Sequence, residues 1–354
     1  MKMKREIVTG PGWYAVTEDG ILMEYISESS DDWCGTILLG KIGRLMSGLN
    51  CAFVDIGRKK NGFLPLDEES SSFTGENVRS GETILLQIKK EETGEKGAFL
   101  TRDITLPGRF VILMPMNRYT GVSSRIRNET VREQLKKSGS TIAGNRFGIV
   151  MRNAAEDADE SALREEAETL FSRWKEIEQQ ALSGGKPGRL LCHENTMTRL
   201  KADYAGNGYE IVKVNEETNQ EIVRQLSLAS ARTLKLPGGG NIVIDRCEAM
   251  TVIDVNSASF TGNGSKQRTV LETNLEACEL IAQQVRLRNL SGIILIDFID
   301  MNSETDGSLV LSRLGECFRN DRIKTVIHGW TKLGIIEMTR KRTSLELSVN
   351  RGIE

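Results

Sequence analysis

Proline is scarce, at 6 residues against 34 glycines, and neither recurs with a fixed period, which excludes collagen-like and low-complexity chains. No apolar run approaches the roughly 18–20 residues that a bilayer span needs. The opening Met1-Lys-Met-Lys-Arg has no apolar stretch behind it, so an export signal is not expected. The six cysteines, at 34, 51, 192, 247, 278 and 317, include no CxxC pair; reduced thiols in a cytoplasmic protein are expected, and neither disulfides nor a zinc knuckle. Histidine occurs only at 193 and 328, with no Ser/His/Asp or Cys/His arrangement around either, so both read as ordinary residues. Charge excess is missing as well. The 47 Lys and Arg against 49 Asp and Glu give a net charge of −2, which argues against indiscriminate coating of nucleic acid but not against a local basic surface. What is present, 39% hydrophobic and 27% charged residues over a length of 354, suits a soluble cored protein of about two or three domains.

Residues 1–33 read as short strands with a glycine-containing turn after Glu18. From Cys34 to Thr105, five apolar runs separated by glycine (Gly35–Leu45, Cys51–Gly57, Asn61–Leu66, Ile84–Ile88 and Gly97–Thr101) predict a small closed barrel, with an exposed loop around Ser70–Gly75. Residues 108–152 carry nine Lys and Arg against two acids. The next stretch reverses sign, with seven acids between 156 and 168, and opens an amphipathic helix through Leu163, Ala167, Leu170, Phe171, Trp174, Ile177 and Ala181. From Gly238 onward the pattern is α/β: strands over Gly238–Asp245 and Glu248–Asp254, a helix over about Thr269–Leu287, a buried strand at Gly292–Phe298, a helix near Leu309–Phe318 and a strand at Ile323–His328.

Two strands of this last region end in aspartate, at Asp254 and Asp297, and a helix lies between them. Such a crossover makes the strands parallel, and ligands bind outside the carboxyl ends of parallel strands. If the strands are neighbours, the two carboxylates stand roughly 5 Å apart, where they repel unless a cation lies between them or one is protonated. A hard divalent ion with oxygen ligands is the natural occupant. Asn256, two residues past Asp254, points the same way and holds a ligand or water without adding charge. The ordinary alternative is that each Asp caps the turn that follows it. The Thr261–Lys266 loop resembles a phosphate cradle but lacks the P-loop spacing, which leaves a nucleotide-binding α/β enzyme built on Gly262–Gly264 as a poor third reading. Phe53 and Phe63, on glycine-flanked strands of the barrel with Arg58 and Lys96 near in sequence, are either core or a stacking platform for bases.

Several motifs in one order carry a family resemblance. Glu248–Ser257, Thr273–Ala277, Gly292–Met301 and Leu333–Arg342, with Ala52–Gly57 and Gly62–Leu66 in the barrel, resemble the ribonuclease E/G family. The resemblance implies an architecture of α/β plus β-barrel. An RNase H-like subdomain would be formed by 1–33 with 185–237, an OB-fold RNA-binding domain by 34–106, a 5′-end sensor by 107–184 and a DNase I-like catalytic subdomain by 238–354. It implies one Mg²⁺ held by Asp254 and Asp297 with Asn256 in support, RNA contacts at Phe53, Phe63 and Lys96, and a pocket for a 5′-monophosphate at Arg152, Asn153 and the main chain of Gly108 and Ile112. Single-stranded RNA would be hydrolysed, with Mg²⁺ polarising the phosphodiester, to leave 5′-phosphate and 3′-hydroxyl ends in RNA processing or decay. Three features depart from the family pattern. Asn153 stands where threonine is usual, the stretch before Pro237 lacks an aromatic-containing segment, and no CxxC follows, so zinc is not expected and a homodimer, which the resemblance still allows, would lack the zinc link. An RNA-binding protein of the same fold with little turnover is the alternative from another functional class.

Overall fold

The first three strands, β1 (Arg5–Gly10), β2 (Trp13–Glu18) and β3 (Ile21–Ser27), form the antiparallel start that the pattern predicts. Asp19 and Gly20 between β2 and β3 take positive φ of 48° and 79°, the pair of left-handed residues that a type I′ turn requires. This computed structural model describes residues 4–27, 33–66, 78–92, 95–193, 196–204, 208–257 and 266–342. The expected loops at Ser70–Gly75 and Gly262–Gly264 lie outside the described residues.

Next come β4 (Ile37–Met46), β5 (Cys51–Asp55), β6 (Gly62–Pro65), β7 (Thr83–Lys90) and β8 (Phe99–Thr101). They lead into β9 (Leu106–Pro107), β10 (Val111–Met114), β11 (Thr120–Val122), α1 (Glu129–Ala143), β12 (Gly148–Met151) and α2 (Glu160–Leu182). After these follow β13 (Leu190–Cys192), α3 (Thr196–Tyr204), β14 (Glu210–Lys213), α4 (Glu216–Leu228) and β15 (Thr233–Lys235). The chain then forms β16 (Asn241–Arg246), β17 (Met250–Asn256), α5 (Lys266–Leu287), β18 (Gly292–Asp297), α6 (Glu304–Cys317), β19 (Thr325–Trp330) and β20 (Ile335–Arg340). These elements divide into two units, Ser29–Gly208 on the one hand and Met1–Glu28 with Tyr209–Glu354 on the other.

In the unit Ser29–Gly208, the strands run in the order β4-β5-β6-β8-β7 and β4 pairs again with β7, which closes the five-stranded barrel expected from the glycine-punctuated runs. Leu38, Ile42, Ala52, Val54, Leu64, Leu86, Ile88 and Leu100 fill it. A second sheet, β11-β12-β10-β9, packs on α1 and α2. Helix α2 starts where the acids predicted: Asp159 caps it by accepting from the Ala162 N–H at 2.7 Å, and this bond, with the Ser161 hydroxyl, holds the carboxyl below its usual range. Leu163, Ala167, Leu170, Trp174 and Ile177 form its buried stripe.

In the other unit, β14 adds in parallel to β1, so residues 6–9 and 210–213 share a sheet. The larger sheet runs β15-β16-β17-β18-β20-β19, with β17 and β18 parallel and joined through α5, as the crossover argument required. Ala277, Cys278, Ile281 and Val285 of α5 and Val310 and Leu314 of α6 bury one face of this sheet against Ile242, Ile253, Val255, Ile294 and Ile296. On the opposite face Asp254, Ile293, Asp297 and Glu337 are exposed. Several boundaries differ from the sequence expectation by a few residues, and for two of them the cause is visible. Helix α6 begins at Glu304 because the Ser303 hydroxyl caps it, and β19 begins at Thr325 because the Ile323 N–H is taken by Asp321, at 3.0 Å. Among the described residues no helix is long and apolar enough to cross a membrane.

Candidate functional site

The acidic pair is built by register. Asp254 is the parallel partner of Asp297, at the carboxyl ends of β17 and β18, so adjacent strands place their Cα atoms roughly 4.8 Å apart. Each aspartate follows a buried isoleucine, Ile253 or Ile296, and the alternation turns both carboxylates to the open face of the sheet. Asn256 lies on the same face, and its Nδ2 donates to Asp254 Oδ2 at 2.7 Å, which orients that carboxylate. Among the described residues no group of three or more His, Cys, Asp or Glu side chains converges as a metal cage. Two carboxylates and an amide nonetheless fit Mg²⁺, which is usually held by one or two carboxylates and keeps its other positions for water and substrate phosphate.

Asn274 went unnoticed as a positioning residue, although it sits inside the quoted Thr273–Ala277 motif. Wholly buried on α5, it accepts from the Ile299 N–H at 3.1 Å and donates to the Ile299 carbonyl at 2.9 Å, clamping the chain just past Asp297. An asparagine on the apolar face of a helix was the signal available in the sequence.

Two cysteines lie on the helices that cover this sheet, Cys278 on α5 and Cys317 on α6. Burial pushes the Cys317 thiol up to about 11 and that of Cys278 higher still, so neither is a thiolate at neutral pH. The two histidines hold threonine hydroxyls: His193 Nδ1 lies 2.8 Å from Thr36 Oγ1, and His328 Nε2 lies 3.0 Å from Thr339 Oγ1.

On the barrel, Phe53 and Phe63 are direct cross-strand partners, and Phe63 is paired in turn with Phe99 of β8. Their flanking residues Ala52, Val54, Leu64, Ala98 and Leu100 are buried, so the three rings face outward and half-exposed. The rings form a row, with centroids 6.1 Å and 5.7 Å apart, and the Lys90 ammonium lies 5.5 Å from the Phe99 ring at its end. Lys96 is exposed just before β8. Phe99 and Lys90 were not singled out from sequence, although the alternation of Ala98, Phe99 and Leu100 marks the phenylalanine as the outward residue. If bases stack on this row, Phe63→Ala weakens single-stranded RNA binding by about 1–3 kcal/mol with the barrel's melting temperature nearly unchanged. A fluorescence anisotropy titration beside a thermal melt checks both; a collapsed melt would return the ring to the core.

Around the hairpin of β9 and β10, Arg152 Nη1 donates to the Gly108 carbonyl at 2.6 Å and its Nη2 pairs with Asp203 at 2.8 Å. The Gly108 N–H closes the turn onto the Val111 carbonyl, while Ile112 pairs with Pro107 in the hairpin. Asn153, next to Arg152, has a buried Oδ1 with no hydrogen-bond partner among the described residues.

With this geometry in place, comparison with known proteins is informative. The family model for the ribonuclease E/G family matches residues 105–228 and 217–343. The chain is 34% identical over 377 residues to Ribonuclease G of Escherichia coli K12, covering 93% of this chain and 77% of that protein. Ribonuclease G of Haemophilus influenzae matches with the same figures. Ribonuclease E of Nostoc sp. is 34% identical over 370 residues, covering 93% of this chain and 54% of that protein.

Proposed function

The chain belongs to the ribonuclease E/G family, and from that premise we propose that it is a Mg²⁺-dependent endoribonuclease that cuts single-stranded RNA in processing or decay, leaving 5′-phosphate and 3′-hydroxyl ends. The observation that carries this reading is the register partnership of Asp254 with Asp297, two like charges on one open face with an asparagine beside them. Asp254 and Asp297 would hold the ion, and Asn256 keeps the Asp254 carboxylate in its orientation. When bound, Mg²⁺ supplies Lewis acidity toward the scissile phosphodiester. The outward row of Phe53, Phe63 and Phe99 offers ring faces to successive unpaired bases, and Lys90 and Lys96 offer cations to the backbone. Duplex RNA, whose bases are already stacked, cannot use such a row.

The same reading assigns the domains: an OB-fold at 34–106, a 5′-end sensor at 107–184 around Gly108, Ile112, Arg152 and Asn153, an RNase H-like part from 1–33 with 185–237, and a DNase I-like part at 238–354. The closed barrel, the basic balance of residues 108–152 and the parallel pairing of β1 with β14 support it. Six free thiols suit the cytoplasm. The test is incubation of a 5′-monophosphorylated single-stranded oligonucleotide with and without Mg²⁺, followed by end analysis of the fragments. Internal cuts only with the ion, each giving a ligatable 5′-phosphate, are the expected result. Binding without cutting would make the chain an RNA-binding protein instead.

A further inference from the structure

The β19–β20 hairpin turns at the metal end of the large sheet. Ile335, the first residue of β20, is the register partner of Asp297, so the turn Thr331–Gly334 stands just past the carboxyl end of β18. That turn is tightly held. Thr331 N donates to the Ile335 carbonyl at 2.8 Å, and Gly334 N donates to the Thr331 carbonyl at 3.1 Å. Gly334 takes the left-handed φ of 79° that closes such a three-residue loop. The Thr331 hydroxyl accepts from the N–H groups of Leu333 at 3.3 Å and Ile335 at 3.2 Å. At the tip stand Lys332, exposed, and Leu333, 85% exposed. Leucine is an unusual choice there, since turns favour Gly, Asn, Asp and Ser, and it adds nothing to the core on the helix-covered face of the sheet. At roughly 3.3 Å per residue, Leu333 lies about 6–7 Å beyond the register of Asp297, the length of about two stacked nucleotides.

We propose that this turn reads the RNA strand beside the cut. Leu333 packs as a wedge on the base next to the scissile phosphodiester, and the Lys332 ammonium meets an adjoining phosphate. Together they fix which linkage reaches Asp254 and Asp297. A single strand is the occupant that fits. The turn carries one cation and no acid, which suits a phosphate backbone, and an apolar tip suits the face of an unstacked base, as leucine wedges between base steps do elsewhere. The inference rests on the endoribonuclease reading with cleavage at the acidic pair, and it adds a specificity-determining residue outside the metal centre.

The test maps cuts in one single-stranded oligonucleotide, either intact or abasic at the nucleotide on one side or the other of the preferred linkage, with the wild type and Leu333→Ser. The wild type loses about tenfold in kcat/KM at that linkage when the contacted base is absent. Leu333→Ser loses as much on the intact strand, scatters its cuts over neighbouring linkages and is indifferent to the missing base. Leu333→Met restores the wild-type pattern. The melting temperature stays the same in both variants, because the side chain is exposed. Lys332→Gln lowers the salt dependence of binding by about one phosphate contact. An abasic penalty that persists unchanged in Leu333→Ser overturns the proposal and leaves cleavage at the acidic pair standing. So does a sedimenting dimer that dissociates in Leu333→Ser, which would make the leucine a contact between copies of the chain. If the wild type cuts no RNA, the functional reading itself fails and this inference falls with it.

Discussion

Asp297→Asn lowers RNA cleavage by roughly a thousandfold or more while changing single-stranded RNA affinity less than threefold if Asp297 holds the ion as proposed, because the loss of such a ligand removes several kcal/mol of charge stabilisation that only the transition state uses. The substitution preserves volume and hydrogen-bonding shape. Its side chain lies on the open face, so the core of Ile294 and Ile296 behind it is untouched. Asp254→Asn has the same outcome and leaves Asn256 a neutral partner in place of the carboxylate it now orients. Rate and binding are measured on the same oligonucleotide, so a loss of both would point to unfolding, and retention of both would remove the pair from the chemistry.

Arg340→Met destabilises the chain by about 3–5 kcal/mol, the cost of leaving a buried carboxylate without its cation. Arg340 and Asp321 are both fully buried, with Nε to Oδ2 at 2.7 Å and Nη2 to Oδ1 at 3.1 Å. The guanidinium also donates to Asn289 Oδ1 at 2.8 Å and to the Leu290 carbonyl at 3.1 Å, and Thr325 Oγ1 donates to Asp321 at 2.9 Å. This network ties the loop before β18 to β20 and β19, at the end of the sheet away from Asp297. Burial pushes the Asp321 carboxyl up, but the hydrogen bonds and charge of Arg340 outweigh it and hold the group below its ordinary value of 3.8. A carboxyl lowered by folding stabilises the native state above pH 3.8, and that contribution is lost as the pH falls from there through the native value. Urea melts between pH 3 and pH 7 therefore show an acid-side loss in the wild type that is smaller by the Asp321 contribution in an Arg340→Met, Asp321→Leu double variant. An Arg340→Met melting curve that overlays the wild type would contradict the assignment.

The acidic pair was legible because two independent periodicities agreed. Apolar runs ended in aspartate, and a helix of the right length lay between them, so parallel pairing at matched ends followed from chain topology. The barrel was legible from glycine-separated runs, yet the fate of Phe53 and Phe63 was not. A phenylalanine on a short strand suits either face, and only the burial of Ala52, Val54 and Leu64 settles which one it takes. The basic stretch 108–152 concealed α1, which is capped by Asn128 but buries only Leu135, Gly139, Ile142 and Ala143 among its lysines. Strand β20 escaped notice because its core residues Ile336 and Met338 alternate with Glu337 and Thr339 inside a motif read for resemblance alone. Glu166, whose carboxylate on α2 accepts from the backbone N–H groups of Arg109, Phe110 and Val111, was hidden for a different reason. Among the acids of an amphipathic helix, nothing local distinguishes the one that reaches a turn over fifty residues earlier in the chain.

The most direct measurement of the metal pair is Mn²⁺ binding followed by electron paramagnetic resonance, on the wild type and on Asp254→Asn with Asp297→Asn. One ion bound per chain, displaced by Mg²⁺ and lost in the double variant, is the result expected if these carboxylates form the centre. Undiminished Mn²⁺ binding in a folded double variant would place the ion elsewhere and contradict the mechanism built on it.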